Sequence, residues 1–153
     1  MTTDTRLRPE LCNCLALRQA ARHVTQFYDQ FLASAGLRTT QFSILARLRR
    51  LGPMTISTLA ADLVMDRTTL GRNLQPLARE RLVVVVKGRA DRRSREIRLT
   101  ETGVERLRAA VGGWAKAQAG FEAAFGEQRS SELRALLHAV SASDLVAASP
   151  PAS

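Results

Sequence analysis

The 153-residue sequence is poor in aromatic side chains, histidine and cysteine, and these scarcities exclude several classes of protein. Aromatic residues make up 5% of the chain, so we expect a core built mostly of Leu, Val and Ala. His23 and His138 lie far apart, and the sequence contains no nucleophile–base motif, glycine-rich phosphate loop or four-ligand zinc spacing. We therefore expect no enzyme, no cofactor and no metal site; the one catalytic alternative is a thiol-dependent, peroxidase-like activity.

Long hydrophobic runs are also missing. The longest purely apolar stretch is Leu82–Val86, and the polar first residues, 1–6, contain no apolar signal-peptide core. We therefore expect no membrane span and a cytoplasmic location. The length and the hydrophobic fraction of 45% are typical of one globular domain.

Lysine is scarce as well, since 21 of the 23 cationic residues are Arg, a bias that a GC-rich genome would also produce. The position of the charge is more informative. Residues 38–98 contain 14 Arg or Lys and 5 Asp or Glu, whereas the other 92 residues balance at nine of each sign. One basic segment on a neutral body is expected of a protein that binds a polyanion with one face, and it predicts double-stranded DNA as the partner. The alternative is a basic surface that serves only solubility.

Apolar residues at three- and four-residue steps predict helices at both ends of the chain. Pro9 is expected to begin the first helix, Gly36 to end it, and Thr39 to cap the second. Thr100 is expected to cap a long helix that starts at residue 101. The predicted helices at the two ends are 9–35, 39–51, 101 onward and about 129–147, and the tail 148–153 is expected to be disordered.

The middle of the chain has the pattern of a helix-turn-helix followed by a β-hairpin. A short helix, Ile56–Leu63, a turn, Val64–Asp66, and a helix from Arg67 to about Arg81 predict the helix-turn-helix, whose second helix normally enters the major groove. The β-branched run Leu82–Val86 and the alternating segment Arg95–Leu99 predict two strands that form a basic wing. The predicted fold class is mainly α with a small β-hairpin wing.

The second helix of this unit has one apolar and one polar face. Arg72, near its N-terminus, is placed to bind a guanine bidentately, whereas Arg79 is expected to contact phosphate. Pro76 predicts a kink rather than a break. A solvated helix face is the alternative. The apolar face consists of Leu70, Leu74 and Leu77, and the predicted DNA contacts are Thr68, Thr69, Arg72, Gln75 and Arg79.

The predicted hairpin has a strongly cationic tip, residues 87–93. Asp91 precedes Arg93 by two residues, and we expect its carboxylate to hold the Arg93 guanidinium by a charge-assisted hydrogen bond. The alternative is a solvated charged loop. The predicted DNA-binding residues of the wing are Arg89, Asp91, Arg92, Arg93 and Arg95.

The order of elements and the motif Asp91-x-Arg93 followed by Leu99-Thr100-x-x-Gly103 resemble the multiple-antibiotic-resistance regulator (MarR) family over essentially the whole chain. The chain departs from the family at Arg81, where glycine is usual, and at Gly71, where a hydroxyl residue is common. The resemblance implies a transcriptional regulator, most often a repressor, and implies that Arg93 enters the minor groove. Further matches are Leu59-Ala60, Thr69-Leu70, Arg72 and Leu82-Val83.

A homodimer is predicted both by this resemblance and by geometry. A helix-turn-helix reads only a few base pairs, so specificity needs two copies on a pseudo-palindromic operator. We expect residues 9–36 and 101–147 to form the dimerisation region around a DNA-binding lobe, residues 38–99. The alternative is that the terminal leucines fold back on their own chain. The apolar residues assigned to the two-fold interface are Leu11, Leu15, Leu133, Leu136, Leu137 and Val140.

Cys12-Asn13-Cys14 is the only reactive-looking group in the sequence. In one helix, residues two apart point about 200° apart, so the two thiols are expected to diverge. Cys14 has Arg18 one turn later, and a nearby cation favours the oxidisable thiolate. Cys14-Leu-Ala-Leu17 followed by Tyr28 also resembles the organic-hydroperoxide-sensing branch of the family, although Arg18 stands where that branch has a tyrosine.

Three interpretations of this region remain open. The resemblance implies oxidant sensing through Cys14, whereas the segment Glu10–Cys14 also resembles the thiol motif of arsenic- and metal-responsive repressors, which lies within their helix-turn-helix. Otherwise the cysteines only pack, and the effector, if any, is a small phenolic or acidic molecule. The residues predicted to line the sensor or effector site are Cys14, Arg18, Arg22, His23 and Tyr28.

Overall fold

The computed structural model describes residues 8–145, which form six α-helices and one three-stranded antiparallel sheet. This architecture confirms the predicted fold class. The helices are α1 (Asn13–Leu32), α2 (Thr39–Leu51), α3 (Ile56–Asp62), α4 (Arg67–Arg79), α5 (Glu101–Phe125) and α6 (Glu127–Ala142). The strands are β1 (Met54–Thr55), β2 (Val83–Lys87) and β3 (Arg95–Leu99).

The described residues divide into two compact units, residues 8–118 and 119–145, with the division inside α5. The first unit contains the helix-turn-helix and the sheet. Its core is aliphatic, as the scarcity of aromatics predicts, and each fully buried leucine stabilises the fold by about 1.5–3 kcal/mol relative to an exposed one. The largest fully buried apolar side chains are Leu32, Ile44, Leu45, Leu59, Leu70, Leu77, Leu82 and Ile97.

The sheet has the order β1-β3-β2, so β3 is its central strand. The wing hairpin pairs Val83 with Leu99 at its base and Lys87 with Arg95 near its tip. β2 begins at Val83 rather than at Leu82, because the Leu82 N–H completes the turn after α4 by donating to the Leu77 carbonyl. β1 was not predicted.

The start of the first helix differs from the prediction. Pro9 begins a 3-10 turn that ends at Leu11, and Cys12 then takes an extended conformation with φ −74° and ψ 108°. The α-helix begins only at Asn13, with the Cys12 sulfur accepting a hydrogen bond from the Leu15 N–H. The two cysteines therefore do not share one α-helix, so the 200° separation expected for residues two apart in a helix does not apply to them.

Two predicted helix caps have different outcomes. Thr39 is not an N-cap but the first residue of α2; the cap is Arg38. Asp29 of α1 instead accepts hydrogen bonds from both the N–H and the hydroxyl of Thr39, each at 2.7 Å, so a tertiary contact satisfies this helix end. The Thr100 cap of α5 is confirmed, because its hydroxyl accepts from the Gly103 N–H at 3.0 Å.

The last helix, α6, ends at Ala142, several residues before the predicted end at about residue 147. The predicted disordered tail, residues 148–153, lies outside the described residues. No helix in the described range 8–145 is long and apolar enough to cross a membrane.

Candidate nucleic-acid interface

Asp66 fixes the N-terminal end of α4. Its carboxylate accepts hydrogen bonds from the Thr69 N–H at 2.8 Å and from the Thr69 hydroxyl at 2.6 Å. The Thr69 hydroxyl, followed by the Thr69 N–H, lowers the pKa of Asp66. The predicted contact residue Thr69 therefore has its hydroxyl engaged in the cap. Sequence analysis missed Asp66, although an Asp directly before a helical pattern is a capping signal.

The two faces of α4 are as predicted. Leu70, Leu74 and Leu77 are buried, whereas the four other predicted contact residues of this helix are exposed. Leucine burial therefore fixes which face of the helix is presented to solvent, and it leaves the polar face free for a ligand. The exposed residues are Thr68, Arg72, Gln75 and Arg79.

Pro76 lies inside α4, and the helix continues past it to Arg79. A proline has no N–H to donate, so the carbonyl of Arg72 loses its usual partner one turn later. The prediction that this helix would not break is confirmed.

The wing tip is ordered by side-chain to backbone hydrogen bonds. The Asp91 carboxylate accepts from the backbone N–H of Arg93 at 2.9 Å, and the Asp91 carbonyl accepts from the Ser94 hydroxyl at 2.7 Å. The predicted bond between Asp91 and the Arg93 guanidinium was wrong, because the short carboxylate caps the turn locally instead. Gly88 packs so closely on Ser94 and the Asp91 carbonyl that a Cβ there would collide with both.

None of the five acidic residues of the lobe forms an ion pair with a predicted contact arginine. Asp62 pairs with Arg47 at 3.1 Å, Glu80 with Arg106 at 2.9 Å and Glu96 with Arg98 at 3.1 Å, while Asp66 and Asp91 accept the hydrogen bonds described above. The predicted contact arginines are all exposed, and no ion pair between residues of the described range includes any of them. These six unpaired guanidiniums, the contact arginines, are Arg72, Arg79, Arg89, Arg92, Arg93 and Arg95.

The candidate sensor residues are less tightly organised. Cys12 and Cys14 are both exposed, free thiols, and Arg18, Arg22 and His23 are exposed on α1. Tyr28 is half-buried, and its hydroxyl donates a hydrogen bond to Gln118 of α5 at 2.7 Å.

A cavity of about 590 Å³ lies between α1, the turn before α2 and the end of α4. None of the five predicted sensor or effector residues lines it. The described residues also contain no group of three or more His, Cys, Asp or Glu that could hold a metal ion. The lining residues include Gln26, Asp29, Gln30, Arg38, Gln41 and Glu80.

A winged helix-turn-helix protein that binds DNA is the class that this fold and surface define. The MarR family model matches residues 37–94. The transcriptional regulator MosR of Mycobacterium tuberculosis, solved in complex with DNA, is 40% identical, with 86% of this chain and 97% of that chain covered and a TM-score of 0.73. A second MosR structure is 36% identical, with 87% and 98% covered and a TM-score of 0.74. The chain belongs to the MarR family of DNA-binding transcriptional regulators.

A more distant structure shares the fold. BpsR of Bordetella bronchiseptica, whose DNA binding is regulated by 6-hydroxynicotinic acid, is 20% identical, with 90% of this chain and 99% of that chain covered and a TM-score of 0.80. No curated protein matched the sequence.

Proposed function

We propose that the protein is a cytoplasmic, homodimeric repressor that binds a pseudo-palindromic operator and is released from it by an effector. The observation that carries this proposal is the set of six contact arginines, which are exposed on α4 and the wing and form no ion pair with the acidic residues of the lobe. Unpaired arginines keep their charge for phosphates and base edges. MosR, which is 40% identical, was solved in complex with DNA, and this supports DNA as the partner of the present chain.

Each part of this surface has a different role in the proposal. Residues 38–99 form the DNA-binding lobe, in which Arg72 near the start of α4 reads a guanine and Arg79 contacts phosphate. Arg93 on the wing enters the minor groove. The remaining contacts, which position the protein on the backbone, are Thr68, Thr69, Gln75, Arg89, Arg92 and Arg95, with Asp91 shaping the wing turn.

The proposal is tested by measuring affinity for specific and random duplexes across salt concentrations. Neutralising roughly six to ten phosphates gives a slope of log affinity against log salt of about −0.9 per contact. Arg72→Ala should cost about 1–3 kcal/mol and relax base preference, whereas Arg79→Ala should weaken all sequences similarly. Arg108→Ala, at an exposed cation of α5, is the matched control and should change little. Salt-insensitive binding, or an equal loss on both duplexes for Arg72→Ala, would contradict the proposal.

Two kinds of effector have specific support. Cys14 is an exposed free thiol, so an oxidant that converts its thiolate to a sulfenic acid is one candidate. A small phenolic or acidic ligand is the other, supported by the action of 6-hydroxynicotinic acid on BpsR, with Arg18, Arg22, His23 and Tyr28 as the candidate binding residues.

Treatment with an organic hydroperoxide distinguishes them. Release of DNA by the parent and by Cys12→Ser, but not by Cys14→Ser, would support sensing through Cys14. If Cys14→Ser releases DNA as readily as the parent, Cys14 is excluded as the oxidant sensor. Release of DNA by a hydroxylated aromatic acid without oxidant would favour the small ligand as the effector.

A further inference from the structure

Three residues at the start of α5 hold the chain segment that follows α4. Thr100, Gly103 and Arg106 are spaced three apart, which places them on one side of a helix. The Thr100 hydroxyl donates to the carbonyls of Arg81 at 2.6 Å and Leu82 at 3.1 Å, and the Thr100 N–H donates to the Leu82 carbonyl at 3.1 Å. The first turn of α5 is therefore attached to the backbone just beyond α4, which is the recognition helix of the proposed DNA-binding lobe.

Gly103 makes this attachment close. A Cβ at Gly103 would collide with the Leu82 carbonyl and lie 2.7 Å from the Leu99 side chain. The glycine and threonine of the Leu99-Thr100-x-x-Gly103 motif thus let α5 touch the backbone of the preceding segment directly.

Arg106 adds a second attachment, on α4 itself. Its guanidinium Nη1 lies 2.9 Å from the carboxylate of Glu80, the C-cap residue of α4. The same Nη1 lies 3.2 Å from the position that a Cβ would take at Gly36, in the turn before α2. Arg106 is 30% exposed and Glu80 49% exposed, so the pair lies at the surface between three elements.

We infer that Arg106 and Glu80 are a positioning pair that sets the angle between the recognition helix and α5. Leu107 and Ala110 of α5 share one hydrophobic core with the leucines of α4, and core packing is not directional. The bonds at residues 81–82 and the Arg106–Glu80 pair add two directional attachments at different points, and together these restrict rotation between the two helices. Because Leu70, Leu74 and Leu77 hold α4 in its lobe, helix and lobe turn together. This inference rests on the proposed binding of a dimer to two half-sites.

The length of α4 makes this angle important for an operator. A helix of 13 residues is about 20 Å long at 1.5 Å per residue, so a tilt of roughly 10° at its C-terminal end moves its N-terminal end by about 3 Å. The rise of one base pair is about 3.4 Å. A small rotation in each lobe therefore shifts the half-site spacing that the dimer prefers by one or two base pairs.

The test compares operators whose half-site spacing varies in single base pairs. Arg106→Glu should weaken binding at the best spacing roughly 3- to 10-fold and move the optimum, with base preference unchanged. The charge swap, Arg106→Glu with Glu80→Arg, should restore the spacing optimum of the parent. The conservative Arg106→Lys should keep that optimum. Arg106→Gln removes the ion pair without placing a second carboxylate beside Glu80, and it is compared with the parent on the same series of operators. An unchanged spacing profile, an equal loss at all spacings, or no restoration by the swap would overturn the inference.

Arg47→Glu is the matched control, because Arg47 and Asp62 form an ion pair of similar length, 3.1 Å, that joins α2 to α3 and includes no residue of α4 or α5. It should lower thermal stability by a similar amount without moving the spacing optimum.

Hydrogen exchange of the full-length protein without DNA tests the attachment separately. Amides of residues 78–83 should exchange faster in Arg106→Glu than in Arg47→Glu, and equal rates in the two variants would overturn the inference. Faster exchange in a protein that binds no DNA specifically would support the attachment while contradicting the proposed function, so the two failures are distinguishable.

Discussion

At the scale of single residues, Arg81 has a left-handed backbone conformation, with φ of 60°. Left-handed geometry costs a residue with a side chain about 1–2 kcal/mol relative to glycine, the usual residue at this position in the family that the sequence resembles. Arg81→Gly should therefore raise the free energy of unfolding by about 1 kcal/mol, because the bond from Thr100 to the Arg81 carbonyl does not need the side chain. Urea denaturation measures this. Arg108→Gly, inside α5, should instead destabilise by about 1 kcal/mol, and a loss at both positions would contradict the prediction.

Asp66 predicts a dependence of stability on acid pH. Its pKa lies below the ordinary value of 3.8, chiefly because the Thr69 hydroxyl donates to the ionised carboxylate. A lowered pKa in the folded state means that the unfolded state binds more protons between the two pKa values, so this contribution to stability is present above pH 3.8 and is lost as the pH falls through the folded pKa.

Urea midpoints of the parent and Asp66→Ala should therefore differ most at neutral pH, and the difference should shrink below about pH 4. Asp66→Asn keeps an acceptor without the charge, so its own cap contribution should not vary with pH. A constant difference between the parent and Asp66→Ala down to acid pH would exclude this cap as the cause.

The residue-scale errors of the sequence analysis have a common origin. The Asp91 carboxylate accepts a hydrogen bond from a backbone N–H rather than from the Arg93 guanidinium. At the N-terminal end of α2, Asp29 accepts the hydrogen bond of the Thr39 N–H, and Thr39 is not the cap. Polar residue types are readily located in a sequence, but their partners depend on backbone conformation and on segments far along the chain. The unpaired state of the contact arginines became visible only when the partners of each acidic residue were known.

At the scale of elements, two adjacent glycines of α5 allow a matched test of helix packing. A Cβ at Gly113 would collide with the Phe31 carbonyl of α1, whereas nothing lies within 4 Å of one at Gly112. Gly112→Ala should stabilise the protein by about 0.5–1 kcal/mol through helix propensity. Gly113→Ala should cost about 1–3 kcal/mol through overpacking. Thermal unfolding measures both, and equal effects would show that α1 and α5 tolerate separation at this crossing.

The helices and the wing were predictable because periodic burial sets their sequences, as the leucines of α4 illustrate. β1 was not predictable, since a strand of two residues has no alternation to detect. It exists only through its pairing with β3, in which Met54 lies opposite Ile97 and Thr55 opposite Glu96. The 3-10 turn at Pro9 was missed for a related reason, because proline favours the start of either helix type. Short elements are determined by their partners rather than by their own residues.

At the scale of the whole molecule, five of the six apolar residues assigned to the two-fold interface are exposed within the described range 8–145, and the sixth, Leu133, is half-buried. Leu11 is 64% exposed and Leu136 is 65% exposed, and Leu15, Leu137 and Val140 are exposed as well. Obligate dimers bury about 2,000 Å² or more of largely apolar surface, which such rows on both terminal helices can supply.

A paired substitution on α6 tests whether these residues join two copies. Leu136 and Val140 are one helical turn apart on the apolar face, so Leu136→Glu with Val140→Glu would bring four carboxylates together in a two-fold interface and should give a monomer by light scattering. The monomer should lose operator binding, because one lobe reads only one half-site while two must lie about 34 Å apart. Ser131→Glu with Ala135→Glu adds the same charge at the same spacing on the opposite, exposed face of α6 and should leave the dimer intact.

Removing residues 127–153 should abolish the dimer or the solubility of the chain. An operator-binding dimer that persists in the Leu136→Glu and Val140→Glu variant would place the subunit contact elsewhere, and a stable operator-binding monomer after the truncation would remove the need for a dimer altogether.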